Sequence, residues 1–172
     1  MIIYKDAITD SQDELLSDSY NLKEVDGVIY EADCAMIEIG AVEVDTGANA
    51  SAEEADEGTD DTAQKVNNIV HSFRLQPTSF DKASYGAYLK GYMKKVLKYL
   101  QEKDGDNAAE IETFKKGAAA FSKKVLGSFK DWEFYTGESM DVDGMVVLLN
   151  YREDGVTPYV AIWKHGLKEM KV

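Results

Sequence analysis

The chain has 172 residues, of which 44% are hydrophobic, so it is long enough to form one domain with a substantial core. Its formal net charge of −13 argues against binding to DNA or to an anionic membrane surface, because both would repel it. The single cysteine, Cys34, excludes an intrachain disulfide and a zinc site built from CxxC pairs. The N-terminal residues lack a signal-peptide pattern, and no window approaches the roughly 20 apolar residues of a membrane span. We therefore expect a cytosolic protein without membrane insertion.

The N-terminal half has the pattern of short β-strands. Apolar residues predict strands over residues 2–5, 28–30 and 35–39, and a longer strand over residues 66–75. Residues 13–17, with the sequence DELLS, indicate a turn or a single helical turn.

An acidic segment interrupts these strands. Between Lys23 and Lys65 there is no Lys or Arg, but there are 13 Asp and Glu residues. The densest part, residues 53–61, has almost no apolar side chain and cannot bury enough surface to offset the entropy of ordering. We therefore predict a mobile acidic loop over residues 44–64, inserted within the domain.

Residues 79–130 have the opposite charge and a helical pattern. Lysines outnumber acidic residues here, and apolar side chains recur at spacings of three and four. The first helix is predicted to begin at a capping box formed by Thr78 and Asp81, and the second to end near Gly127. A connection at residues 103–107 makes the pair an antiparallel helical hairpin. The predicted buried stripes are Tyr85, Leu89, Tyr92, Val96 and Leu100 on the first helix, and Ile111, Phe114, Ala118, Phe121 and Val125 on the second.

The C-terminal part returns to β structure. Apolar and polar residues alternate from residue 132 to residue 136, and residues 145–151 and 156–163 form strands joined through the turn signal Asp154-Gly155. Strands, then two helices, then strands indicate an α+β fold with mostly antiparallel sheets, in which residues 1–172 form a single domain.

Two positions near these strands have simple structural interpretations. Gly137 is predicted to supply a turn or a positive φ next to a β element. Arg152 is predicted to pair with a carboxylate across neighbouring strands.

The acidic residues do not match a calcium-binding loop of the EF-hand type. In the frame that starts at Asp104, the sixth position is Ala109 and the twelfth is Lys115, where such a loop needs Gly and Glu. Unorganised carboxylates of the acidic loop could still collect calcium weakly, although a solvated loop is the simpler interpretation. We predict no other cofactor and no zinc.

The sequence also lacks the residues of a common catalytic site. The phosphate-binding patterns GxGxxG and GxxxxGK[ST] are absent. His71 in an apolar strand pattern and His165 at a strand end are more often structural residues than bases. Cys34 is expected to be a small packed residue whose pKa is raised by neighbouring acids. We therefore predict that the chain is not an enzyme.

The lysines of the helical hairpin are the best binding candidate that the residues themselves offer. Lys90, Lys94 and Lys98 share one helical face because they are four residues apart, and Lys123 and Lys124 add charge on the second helix. Either these lysines form a solvated face that balances the acidic remainder, or they bind an acidic protein surface such as a tubulin tail.

Sequence blocks along the whole chain resemble the translationally controlled tumour protein family, and its fungal members in particular. Two of the blocks have the form of the family's own signatures. The blocks are MIIYKD at the N-terminus, YEAD from residue 30, GANASAE from residue 47, HSFRLQPTSFDK, YLKGYMK, FKDWEFYTGESM and NYREDGVTPY.

The resemblance implies a tent of small, mostly antiparallel β-sheets that carries an α-helical hairpin and a long mobile acidic loop. This fold is similar to that of a zinc-binding chaperone of Rab GTPases and to that of methionine sulfoxide reductases. The zinc cysteines are missing from this sequence, and Cys34 alone lacks a reductase context.

The function implied by the resemblance is that of a non-enzymatic, cytoplasmic and partly cytoskeleton-associated interaction protein. Its implied partners are microtubules, ribosomes and elongation factors, with weak calcium binding and a link to growth control. The first alternative is a guanine-nucleotide exchange factor or chaperone-like regulator of a small GTPase. A less favoured alternative is an enzyme similar to methionine sulfoxide reductase.

The resemblance also implies site residues by position. A GTPase-facing residue falls on Glu14, next to Asp13, and signature residues fall on Asn49 and Glu138. The tubulin-binding region falls on the helical hairpin. Thr46 and Val142 depart from the family pattern beside the two signatures, so the resemblance does not fix the loop conformations there.

Overall fold

The computed structural model describes residues 1–39, 64–103 and 107–172, which form eleven β-strands and three α-helices. The helices are α1 (Asn68–Ser72), α2 (Lys82–Glu102) and α3 (Ala108–Gly127). The strands are β1 (Ile2–Asp6), β2 (Glu14–Ser17), β3 (Lys23–Val25), β4 (Ile29–Asp33), β5 (Met36–Ile39), β6 (Gln64–Asn67), β7 (Gln76–Thr78), β8 (Glu133–Thr136), β9 (Val147–Tyr151), β10 (Pro158–Trp163) and β11 (Leu167–Lys171). None of the described helices is both long and apolar enough to cross a lipid bilayer.

The strands form three sheets in which every observed pairing is antiparallel. Their strand orders are β11-β1-β2, β3-β4-β10-β9-β8-β7 and β5-β6. The helical hairpin of α2 and α3 lies between β7 and β8 along the chain. The predicted α+β class with antiparallel sheets is therefore confirmed.

Two predicted elements were wrong. Both lie where a short apolar run is compatible with the side-chain spacing of a strand and with that of a helix. Residues 13–17 contain strand β2 rather than a turn. Residues 66–75 are not one strand, because β6 ends at Asn67 and α1 begins directly after it. The Asn67 side chain caps α1 by accepting hydrogen bonds from the N–H groups of Ile69 (3.0 Å) and Val70 (3.1 Å). His71 consequently lies exposed on a short helix rather than in a strand.

Strands β3, β7 and β11 were not predicted, and the acidic loop lies almost entirely outside the described residues. These three missed strands are short and largely polar, so they lack the alternation that marks a half-buried strand. Of the loop predicted over residues 44–64, only Gln64 is described, as the first residue of β6.

The helical hairpin forms as its apolar periodicity predicts. All five residues of the α2 stripe are buried, and Phe114, Ala118, Phe121 and Val125 of α3 are buried with them, whereas Ile111 of the predicted α3 stripe is only partly buried. The start of α2 differs from the prediction, because Asp81 itself is the cap and accepts a hydrogen bond from the Ser84 N–H at 2.7 Å.

Aromatic side chains pack the helical hairpin against the six-stranded sheet. Trp163 at the end of β10 is fully buried, and its ring meets those of Phe114 at 6.3 Å and Phe121 at 5.4 Å, both nearly edge-on. From α2, Tyr85 packs on Phe134 of β8 with ring centroids 4.8 Å apart. The core thus lies between the hairpin and the sheet.

One glycine on α3 lets the helix approach the turn before β4. A Cβ atom on Gly117 would lie 2.5 Å from Cγ1 of Val28 and 2.6 Å from the carbonyl oxygen of Asp26. The backbone cannot move away easily, since Val28 is fully buried. By contrast, a Cβ atom on Gly91 of α2 would have no neighbour within 4 Å.

Arg152 forms the cross-strand ion pairs expected of it. Its Nη1 atom lies 2.7 Å from Oε1 of Glu31, and its Nε atom lies 2.7 Å from Oδ1 of Asp33. The guanidinium carbon also lies 3.9 Å from the centre of the Tyr159 ring. The side chain of Glu31 is only 4% exposed, so Arg152 neutralises an otherwise buried charge and ties the β9–β10 turn to β4.

The buried carboxylate of Asp6 links β1 to the segment before β9. Asp6 is 4% exposed and accepts hydrogen bonds from the N–H groups of Met145 (2.8 Å) and Ile8 (2.9 Å). A Cβ atom on Gly144 would collide with the carboxylate, so this approach requires glycine there. Burial raises the pKa of Asp6, against the lowering effect of these hydrogen bonds.

Gly117→Ala and Gly91→Ala form a matched pair of substitutions. Alanine favours a helix over glycine by about 0.5–1 kcal/mol, so Gly91→Ala should stabilise the protein by about that amount. At Gly117 the clash should outweigh this gain and destabilise the protein by about 1–3 kcal/mol. Urea unfolding of both variants measures the difference, and stabilisation by Gly117→Ala would contradict the close approach.

Asp6→Asn should change how stability depends on pH. The folded state binds the Asp6 proton more tightly than the unfolded state, so this group stabilises the protein fully below its ordinary pKa of 3.8. That contribution is lost as the pH rises through the raised pKa of the folded state. The unfolding free energy of the variant minus that of the parent should therefore increase over this range and then level off. Urea unfolding between about pH 3 and pH 8 tests this, and a difference that is constant with pH would refute it.

Candidate functional site

The residues Glu14 and Glu138, predicted to share a partner surface, line one groove of about 390 Å³. Glu14 is the first residue of β2, and Glu138 lies in the turn that follows β8. Ile3, Ser72, Phe73 and Arg74 complete the lining. The groove therefore combines carboxylates, one guanidinium and apolar side chains contributed by parts of the chain far apart in sequence.

Asp13 fixes the turn that carries Glu138. Its Oδ2 atom accepts hydrogen bonds from the Ser139 N–H at 3.2 Å and from the Ser139 hydroxyl at 2.6 Å. A Cβ atom on Gly137 would lie 2.4 Å from the same Oδ2 atom. Asp13 is thus a positioning residue for this turn, whereas Glu14 and Glu138 are available at the surface.

Of the two alternatives predicted for Gly137, a turn or a positive φ, the structure shows the turn. The Met140 N–H bonds to the Gly137 carbonyl at 3.0 Å and closes the turn. Among the described glycines, positive φ angles occur at Gly27 and Gly155 instead. Glycine is needed at position 137 because the Asp13 carboxylate occupies the space of a side chain.

Arg74 is the charged residue of this groove that the sequence analysis missed, along with its neighbours Ile3, Ser72 and Phe73. Its Nη1 atom lies 2.9 Å from Oε1 of Glu138, and the two side chains are 72% and 58% exposed. Its backbone adopts a left-handed φ of 54°, which directs the chain from α1 into β7. The composition could have pointed to Arg74. The chain has only two arginines beside 17 lysines, and arginine is the better partner for a carboxylate.

The lysines proposed as a patch all lie exposed on the hairpin. Lys90, Lys94 and Lys98 follow one face of α2, and Lys123 and Lys124 lie near the end of α3. None of the five forms a salt bridge within the described part of the chain. The neighbouring Lys95 differs, because its Nζ atom donates to the Asp143 carbonyl at 3.0 Å.

Cys34 is packed in the core. It is 7% exposed, and burial is the main cause that raises the pKa of its thiol, with the charge of Asp33 adding to the effect. The prediction of a small packed residue is confirmed, although burial rather than neighbouring acids dominates. A group of three or more His, Cys, Asp or Glu residues close enough to hold a metal ion does not occur in residues 1–39, 64–103 and 107–172. Asn49 and the proposed weak calcium sites of the acidic loop lie outside the described residues.

Comparisons with known proteins relate the whole chain to one family. The sequence model of the translationally controlled tumour protein matches residues 1–168. A translationally-controlled tumor protein homolog of Neurospora crassa is 68% identical over 173 residues, and that of Candida albicans is 64% identical over 172 residues, with both chains fully covered in each case.

Solved structures agree with this assignment. The translationally controlled tumor-associated protein p23fyp of Schizosaccharomyces pombe superposes with a TM-score of 0.81 at 54% identity, with both chains fully covered. The translationally-controlled tumor protein of Caenorhabditis elegans superposes with a TM-score of 0.70 at 32% identity and covers 100% of this chain and 99% of its own. The chain therefore belongs to the translationally controlled tumour protein family.

Proposed function

We propose that the chain is a non-enzymatic cytoplasmic interaction protein that acts in translation and growth control by capturing other proteins. Its family membership supports this role. The observation that carries the proposal is the shared groove, in which Glu14 and Glu138 lie beside Arg74 on the surface. Groups that fold together from distant parts of a chain, yet remain exposed, are suited to recognition.

The groove is suited to a small GTPase whose surface presents a basic side chain next to an apolar one. Glu14 is exposed and has no salt bridge within the described residues. The Arg74–Glu138 pair is exposed at both ends and so stabilises the fold only weakly, which allows a cation of the partner to replace Arg74. Ile3 and Phe73 supply apolar wall that a bound partner would cover.

The exposed lysines of the hairpin support binding to the acidic tails of tubulin as a second role. Lys90, Lys94 and Lys98 present a row of charges on a rigid helix, and no carboxylate of the described residues neutralises them. In a chain with a net charge of −13, such a row gives a local attraction for acidic peptides that the rest of the surface opposes. Added salt should weaken this attraction.

Ribosomes and elongation factors are further proposed partners, and the family resemblance alone supports them. Weak calcium binding is proposed for the acidic residues 44–64, of which the structure describes only Gln64.

The packing of Cys34 argues against an activity like that of methionine sulfoxide reductase. Such chemistry starts from a reactive thiolate, whereas burial raises the pKa of this thiol. Regulation of nucleotide exchange remains the alternative to simple capture, because both would use the same groove. Nucleotide release from a small GTPase, measured with and without the protein, separates them: release accelerated by the protein indicates exchange, and unchanged release with measurable binding indicates capture.

Glu14→Gln and Glu138→Gln should each weaken capture of a small GTPase by about fivefold to tenfold, because each removes a charge from the interface. Since both side chains are exposed, unfolding free energies should change by about 0.5 kcal/mol or less. Isothermal titration and thermal denaturation of the same samples measure the two effects. Glu112→Gln, at an exposed position of α3, is the matched control. Loss of stability with undiminished capture by the folded fraction would overturn the interface assignment.

Lys90→Glu combined with Lys94→Glu should strongly reduce co-sedimentation with microtubules, and the parent should lose binding as salt is raised. The fold should persist because both lysines lie off the buried stripe of α2. The matched control is Lys168→Glu combined with Lys171→Glu, which makes the same change of charge at exposed positions of β11. If both double variants bind alike, the face on α2 is only a solvated surface.

A further inference from the structure

A second concave site lies away from the groove, where the helical hairpin meets two of the sheets. It is a crevice of about 470 Å³, within the size range of small-molecule sites. Its walls come from β1, β4, the end of α2, the start of α3, the segment that joins β10 to β11, and β11 itself. We call it the tyrosine–lysine crevice, after Tyr4, Tyr30, Tyr99, Lys103, Lys164 and Lys168, which line it.

The crevice concentrates hydrogen-bond donors in an otherwise acidic protein. Three lysines from three different parts of the chain line it, together with three tyrosines, and both side-chain types carry hydrogen-bond donors. The rings of Tyr4 and Tyr30 lie 5.5 Å apart at an angle of 43°, and Lys164 lies 5.9 Å from the centre of the Tyr30 ring. Flat aromatic walls next to cations suit a ligand that has both a ring and a negative charge.

His165 provides an independent sign that the crevice is built for a ligand. It lines the crevice but is only 9% exposed, and its buried Nδ1 atom has no hydrogen-bond partner among the described residues. Its ring is held edge-on to Phe114 at 5.3 Å. Burial lowers the pKa of His165, and the charge of Lys164 lowers it further. An unpaired polar atom that is buried is expensive unless a further group interacts with it.

The carboxylates near the crevice leave its lysines available. Glu110 lies 3.9 Å from Lys103, and both side chains are about half exposed, so this pair is weak. Glu24 lies closer to Lys164, at 2.5 Å, although both of these side chains are also partly exposed. Lys168 has no salt bridge in the described part of the chain, although Glu169 also lines the crevice. A ligand that enters therefore competes with Glu24 above all.

We propose that the tyrosine–lysine crevice binds a small phosphate-bearing molecule. A phosphate offers three strong acceptor oxygens and so can satisfy ammonium and hydroxyl donors that converge from several directions, whereas a planar carboxylate suits a forked arginine better. The tyrosine rings favour a phosphate attached to a flat ring, as in a nucleotide, over free phosphate. This role is independent of the proposed partner groove.

Titration of the full chain with inorganic phosphate, AMP and adenosine, followed by NMR, tests the proposal. We expect phosphate and AMP to shift the backbone resonances of residues 164–168 and to raise the pKa of His165, because a nearby anion stabilises the imidazolium. AMP should bind more tightly than phosphate if the ring stacks on tyrosine, and binding of AMP alone also supports the proposal. Adenosine that binds as tightly as AMP, or an unchanged His165 titration, would overturn it.

Three substitutions distinguish the crevice from general attraction to lysines. Lys168→Gln should weaken AMP binding by about threefold to tenfold. Glu24→Gln should tighten it by about threefold, because Lys164 loses its competing partner. Lys82→Gln removes an exposed lysine that does not line the crevice and should have no effect. Equal losses in Lys168→Gln and Lys82→Gln, or weaker binding after Glu24→Gln, would refute the site.

Discussion

The packing of the helical hairpin on β10 is the constraint on which the rest of the structure depends. Every residue of β10 is buried, and Trp163 at its end contacts Phe114 and Phe121 of α3. Aromatic side chains of this size bury large apolar areas, and packed protein interiors tolerate little free volume. These contacts therefore fix the position of α3 over the sheet. Gly117 then brings α3 against the turn before β4 without a side chain in between. The polar surfaces described above are built around this fixed arrangement.

Two aspartates fix the backbone of the segment between β8 and β9 through hydrogen bonds: Asp6 in β1, and Asp13 in the connection from β1 to β2. Asp6 binds the N–H of Met145, and Asp13 binds the N–H and hydroxyl of Ser139. Each carboxylate occupies the space that a side chain would fill on a glycine, Gly144 in one case and Gly137 in the other. Through the second of these contacts, the turn that carries Glu138 is tied to the start of β2, where Glu14 lies.

Asp6 and Asp13 differ in burial, and their structural roles differ accordingly. Asp6 is almost fully enclosed, and burial raises its pKa, so its charge costs stability in exchange for fixing the backbone. Asp13 is partly exposed and fixes only the local turn. An acidic residue in this family member can therefore be structural, as Asp6 is, even where the sequence shows only one more carboxylate in a chain that has 32 of them.

The proposed binding surfaces rely on charge rather than on large apolar patches. The groove has two carboxylates and one arginine, the hairpin has a row of lysines, and the crevice has three lysines among tyrosines. Contacts of this kind select partners and speed association more than they add affinity, and they weaken with salt. Ionic strength is therefore the solution variable to which partner binding should respond most.

The sequence alone determined the elements whose pattern is local. The two long helices, the β9–β10 hairpin and the α+β class follow from periodicity and turn residues, which neighbouring residues specify regardless of the rest of the chain. The family blocks also placed Glu14 and Glu138 as surface candidates. Short segments were less certain, because the apolar run that contains Val66 and Val70 fits a strand and a helix equally well until Asn67 caps α1.

Only the tertiary structure decided which distant residues meet. Asp13 and Ser139 are 126 positions apart, and Arg74 and Glu138 are 64 apart, so neither contact leaves a periodic signal in the sequence. The need for glycine at position 137 is of the same kind, since it comes from the carboxylate of Asp13, far away in the sequence, rather than from the local backbone angle. Such contacts depend on how the hairpin and the sheets pack, and that packing is a property of the whole folded chain.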